Sequence, residues 1–137
     1  MHRSGLPYLA LVSLVAVQVI YAGYWALHDI SARLGLWADT DAARTFVSSL
    51  TVTQEVLFFS HVIMNAVVLV LVWKQRWWAL PAFILSFVLD RAEWVMMTGN
   101  VVFSNMVAVD SWTLFSFTLQ GMIIALLVIL VFEGRLR

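Results

Sequence analysis

Asp90, Arg91 and Glu93 stand together in the stretch FVLDRAEWVM, residues 87–96, with Phe87, Val88 and Leu89 before them and Trp94, Val95 and Met96 after. Two acids and a base inside an apolar run suit few tasks. They can hold a cation, pass a proton, or pair with one another and fix helix packing. A charged group at a bilayer centre costs about 2.5–3.5 kcal/mol on an insertion scale. Such groups therefore face other polar groups or a ligand, and their partners must come from elsewhere in the chain.

Polar residues recur at helical spacing in the other apolar runs. Gln54, His61 and Asn65 follow i, i+7, i+11, and share one helix face. Thr113, Ser116 and Gln120 follow i, i+3, i+7, as do Gln18, Tyr21 and Trp25. At ~1.5 Å rise per residue, Gln18, His61, Asp90 and Gln120 each fall roughly 13–15 Å from one end of their helices. That depth is close to a bilayer midplane, and each of four segments contributes one residue to it.

Arg91 has Asp90, Glu93 and Glu55 as possible partners. With all three ionised, Asp90, Arg91 and Glu93 sum to minus one, which a proton, a metal ion, a cationic ligand or a charged His61 would balance. The candidate ion- or ligand-binding set is Asp90, Arg91, Glu93, His61, Asn65, Gln18, Gln120 and Glu55, with Tyr21 and Trp94 as aromatic neighbours. Each polar residue also has a plainer use. His61 equally suits a hydrogen bond to Asp90 or Gln120, and a single buried amide is commonly a contact between helices.

Other chemistries lack their residues. The chain has no cysteine, hence no thiolate nucleophile, disulfide or Cys-ligated metal. Glu-x-x-His motifs of a di-iron site are missing. His2, His28 and His61 lie at depths unsuited to the two axial positions of one haem. Ser60, Ser86 and Ser116 sit in no nucleophile-elbow motif. No catalytic residue, cofactor or metal is assigned. A formal net charge of zero gives no basic surface for nucleic acid.

The elements that must position these groups follow from hydropathy. Of 137 residues, 63% are hydrophobic and 12% charged, too little polar surface for a soluble domain. A bilayer core needs about 20 apolar residues per helix. Four runs meet that length, at about 6–27, 52–73, 79–98 and 112–132, and the third holds the charged stretch. The first run is too long for a signal-peptide core and lacks a small-x-small cleavage site after it. Strict alternation is missing, which disfavours a β-barrel. The expected fold is a single all-α domain, residues 1–137, forming a four-helix transmembrane bundle.

Arg3, Lys74, Arg76, Arg135 and Arg137 would share one side; Arg33 and Arg44 lie on the other with Asp29, Asp39, Asp41 and Asp110. The positive-inside rule then places both termini in the cytoplasm, in a membrane of the bacterial inner (plasma) type. The segment 28–51 is the longest connection. ISARLGLW within it predicts a short interfacial helix, and DTDAARTF a helix start capped by Asp39 or Thr40. Pro81 fits a first helical turn, Gly99–Asn100 a helix stop, and Asp110–Ser111 an N-cap. VVFSNMVAV is an unusually apolar connection.

The leading expectation is a membrane protein that binds, or binds and transfers, a proton, cation or small polar solute in the outer half of the bundle. One alternative is an accessory subunit whose polar layer is packing alone. Another is an intramembrane enzyme using His61 and a carboxyl for acid–base work on a lipid-like substrate. The expected partners are the bilayer and either further copies of the chain or partner membrane subunits, because 137 residues leave little room for a full transport path.

Overall fold

The computed structural model describes residues 5–100, 102 and 111–137. Among them the chain is all helical: α1 (Leu6–Leu34), α2 (Asp41–Ser49), α3 (Val52–Trp73), α4 (Ala79–Thr98) and α5 (Ser111–Phe132). The VVFSNMVAV connection and the Asp110 cap lie outside the described residues.

Three helices, α1, α3 and α5, are long and apolar enough to cross a membrane. α4 has 20 residues, the length required, but carries Asp90, Arg91 and Glu93. It packs between α3 and α5, and α1 also packs between α3 and α5. Outward faces are apolar as well, with Ile20, Leu27, Ile63, Val70, Val88, Val95 and Leu114 all exposed. An apolar perimeter of this extent is compatible with lipid.

The first connection differs from its sequence reading. ISARLGLW does not form a separate helix. Nothing between Leu27 and Leu34 breaks the helical ladder, so α1 runs on for 29 residues. It ends at Gly35, whose φ of 68° places it in the left-handed region, with its N–H on Ser31 O. The short helix of this segment is α2 instead. Thr40 caps it, accepting from Ala43 N at 3.1 Å. Leu50 and Thr51 are extended and separate it from α3. α4 ends at Gly99, here in a right-handed conformation.

The helix ends sort into two groups. At one end, Arg137 N donates to Gln75 O (2.8 Å) and Trp77 N to Arg137 O (3.3 Å). A Cβ at Gly5 would collide with Arg135 Nη1. The start of α1, the α3–α4 turn and the C-terminal tail therefore meet there. At the opposite end, Arg33 bonds Asp29, Glu55 and Val47 O, linking α1, α3 and α2. Asn100 Nδ2 donates to Ser49 Oγ at 3.1 Å and joins the end of α4 to this group.

The interior divides the same way. Toward the tail end it is apolar: Leu11, Val15, Val68, Val72, Phe83, Ile123, Leu127 and Leu130 are buried, with Leu136 folded back against them. Tyr8 is the one hydroxyl in this cluster, and it donates to Val72 O at 3.2 Å. Between helices in lipid such contact contributes through close packing, since lipid tails are as apolar as leucine. The polar interior begins one turn beyond it.

Candidate functional site

Phe83, Ser86, Asp90 and Glu93 follow i, i+3, i+7, i+10 and form the inward face of α4. Phe83, Ser86 and Glu93 are buried, and the Asp90 side chain is 17% exposed. Opposite them α3 presents His61 and Asn65, α5 presents Ser116 and Gln120, and α1 presents Gln18, all buried.

Three side chains close a circuit at the base of this polar region. His61 Nδ1 lies 3.1 Å from Ser86 O, and His61 Nε2 lies 3.2 Å from Asn65 Nδ2. Ser86 Oγ donates to Asn65 Oδ1 at 3.0 Å. One assignment satisfies every atom. Nδ1 carries the hydrogen and donates to the Ser86 carbonyl, while Nε2 accepts from the Asn65 amide. In this form His61 is neutral and its ring nitrogens are both used. The Asp90 carboxylate is 3.7 Å from Nε2, beyond a hydrogen bond.

Asp90 is the centre of a second group. Its Oδ2 accepts from Arg91 Nε at 3.0 Å, from Arg91 Nη2, and from Gln120 Nε2 at 2.8 Å. The Arg91 guanidinium packs over the Phe117 ring, 4.1 Å from its centroid, and reaches Ser116 Oγ at 3.5 Å. A flat cation on an aromatic face next to its counterion offsets much of the cost of removing it from water.

Several polar atoms in the same region have no hydrogen bond among the described residues. These are Gln18 Oε1, Gln120 Oε1 and Arg91 Nη1, all fully enclosed. Glu93 is 4% exposed, and among the described residues it has neither an ion-pair nor a hydrogen-bond partner. With all three groups ionised, Asp90 and Arg91 offset one another and the charge left over is that of Glu93.

The other sequence candidates fall as follows. Glu55 pairs with Arg33 (3.0 Å) at the α2 end, away from Arg91. Tyr21 sits in an aromatic cluster with Trp25, Trp112 and Phe115, centroids 5.6–6.4 Å away. Trp94 is half-buried beside Glu93. Gln54 shares a face with His61 but is occupied by the capping box of α3, its Oε1 accepting from Thr51 N at 2.8 Å. Among the described residues no cluster of three or more His, Asp or Glu side chains could hold a metal.

Ser86 and Phe117 enter the site without having been candidates. The spacing of Ser86 with Asp90 and Glu93 was the available signal, and Thr51-x-x-Gln54 is a legible capping box. Phe117 carried none, since its contact with Arg91 depends on how α5 rotates against α4.

No known protein family, curated protein or solved structure matches the chain. The functional reading therefore rests on the geometry alone.

Proposed function

We propose that this chain is an integral membrane protein of four transmembrane helices whose polar interior binds a proton, a cation or a small polar solute. In this reading α4 spans the bilayer with α1, α3 and α5, and its charges are tolerated because they face their partners. The tail end is cytoplasmic. Lys74, Arg76, Arg135 and Arg137 gather there with one acid, Glu133, paired to Arg135, whereas Arg33 and Arg44 at the α2 end are offset by Asp29, Glu55, Asp39 and Asp41. Access lies on the α2 side in this reading, because apolar packing closes the interior toward the tail end.

One observation carries the reading. Four helices place polar side chains in one half of the interior, and those side chains leave a buried carboxyl, two amide oxygens and a guanidinium nitrogen without partners among the described residues. A polar layer serving only to register helices gains nothing from unmet groups, each of which costs about 1–3 kcal/mol. A ligand that meets them accounts for their retention.

The experiment is flux in proteoliposomes for protons, sodium, potassium and ammonium, with Asp90→Asn as control. Flux above that of empty liposomes, lost in a variant that still melts cooperatively, is the expected result. Equal flux in the variant rejects Asp90 as part of the path. Flux no greater than empty liposomes for every species rejects transfer, and leaves binding to the occupancy measurement in the Discussion.

A further inference from the structure

The unmet groups are unequal in number and sign, and this bears on what binds. Asp90 is held through one oxygen, its Oδ2 taking two donors from Arg91 and one from Gln120. The Gln120 amide is thereby oriented. Its nitrogen must face the carboxylate, so its buried oxygen is a true acceptor left open. Gln18, 1% exposed and on a different helix, also has an enclosed side-chain oxygen without a donor. Glu93, one turn beyond Asp90 toward the α2 end, adds a carboxyl with no partner among the described residues. Acceptors outnumber donors, and the formal charge of Asp90, Arg91 and Glu93 is minus one.

We propose that the polar interior holds one small monovalent cation, with Glu93 as the carboxylate that binds it, the amide oxygens of Gln18 and Gln120 as further acceptors, and the Asp90–Arg91 pair as the fixed scaffold beside it. The proposal rests on the binding function above and narrows it to a ligand class and a residue. A single positive charge brings the layer to neutrality. An anion would meet Arg91 Nη1 but add to the excess charge. A lone proton on Glu93 would serve the carboxyl and leave both amide oxygens unmet. A divalent ion would overcompensate, and the required cluster of three acids or histidines is missing among the described residues.

The approach is from the α2 end. Asp29 and Glu55 stand there, held by Arg33, with Glu93 deeper on α4 and Asp90 deeper still. Below them the His61–Asn65–Ser86 circuit is closed on itself, and Phe83, Val68 and Ile123 fill the space behind it. The cation therefore enters and leaves on the same side in the conformation described.

The test uses the whole chain in nanodiscs, melted in chloride salts of sodium, potassium and ammonium against N-methylglucamine at constant ionic strength. Binding to the folded state alone raises the melting temperature along a saturable, single-site curve. Wild type is expected to give that curve with at least one of the three cations. Glu93→Gln, which keeps the side chain's size, is expected to give none and to melt in N-methylglucamine no lower than wild type. Gln18→Leu breaks no hydrogen bond among the described residues; it is expected to keep the curve but require several-fold more cation.

A curve retained in Glu93→Gln overturns the assignment to Glu93 while the binding reading stands. A wild type indifferent to all three cations overturns the cation inference. Stabilisation by an uncharged solute or by acidification alone would then preserve the broader reading and identify its ligand.

Discussion

Gln120 Nε2 donates to Asp90 Oδ2 at 2.8 Å, so a side chain of α5 holds the acid of α4 from across the helix interface. The bond fixes two things at once. It orients Asp90 toward Arg91 and turns the Gln120 oxygen inward. Replacing Gln120 with Leu removes one of three donors on a carboxylate, and the expected cost is about 1.5–3 kcal/mol, the worth of a hydrogen bond to a charged group. Thermal denaturation in detergent measures it. A loss under half a kcal/mol, by the same principle, would mean that the α4–α5 contact is not formed as described.

The His61–Asn65–Ser86 circuit gives a second expectation. Asn65→Ala strips buried His61 Nε2 of its partner and leaves Ser86 Oγ only its longer bond to His61 O, at 3.3 Å. Ser86→Ala removes the donor to Asn65 Oδ1 and the hydroxyl contacts with His61, but leaves both ring nitrogens a partner, the Ser86 carbonyl and the Asn65 amide. The Asn65 variant is expected to lose more stability, about 2–3 kcal/mol against about 1 kcal/mol for the Ser86 variant. The double variant is expected to cost less than the sum of the two, because the residues share one network. Additive losses in a double-mutant cycle would break the circuit into independent contacts.

Arg33 ties α2 to α1 and α3 through Asp29, Glu55 and Val47 O. Its side chain is 33% exposed, so solvent screens the pairs and Arg33→Gln is expected to cost at most about 1 kcal/mol of global stability. The larger effect is local. Amide exchange across residues 41–49 is expected to speed up in the variant, with exchange in α3 unchanged. Unchanged exchange in α2 would show that other contacts hold it.

Orientation can be read directly because the chain has no native cysteine. Gln75→Cys lies in the α3–α4 turn and Thr40→Cys at the start of α2, at opposite ends. In intact cells a membrane-impermeant maleimide is expected to label position 40 and to reach position 75 only after the membrane is opened. The reverse pattern would invert the proposed topology and place the acidic approach on the cytoplasmic side.

Much of the helical layout was legible because it follows local rules. α3 and α4 begin and end where hydropathy, Pro81 and Gly99 place their ends. The length of α1 was misread. Asp29, Ser31 and Arg33 end the apolar run and set ISARLGLW apart as a separate interfacial helix, but polarity alone does not end a helix, and the stop is Gly35. At the site, helical spacing shows which residues share a face of one helix. It cannot show which face meets which neighbour. That is why Glu55 could be read as a partner of Arg91 and in fact lies with Arg33. It is also why Phe117, apolar and exposed toward one side, gave no sign that Arg91 rests on it.

Occupancy tests the central claim most directly. The protein would be purified from native membranes in mild detergent and examined by native mass spectrometry for what each chain retains, with Asp90→Asn alongside. In that variant Arg91 is free to neutralise Glu93, and the interior no longer carries spare charge. The expected result is one small bound species per wild-type chain that exchanges with added ligand and is missing from the variant. A folded wild type that retains nothing, and takes up none of the protons, cations or small solutes offered, would contradict the claim and leave the polar interior as packing alone.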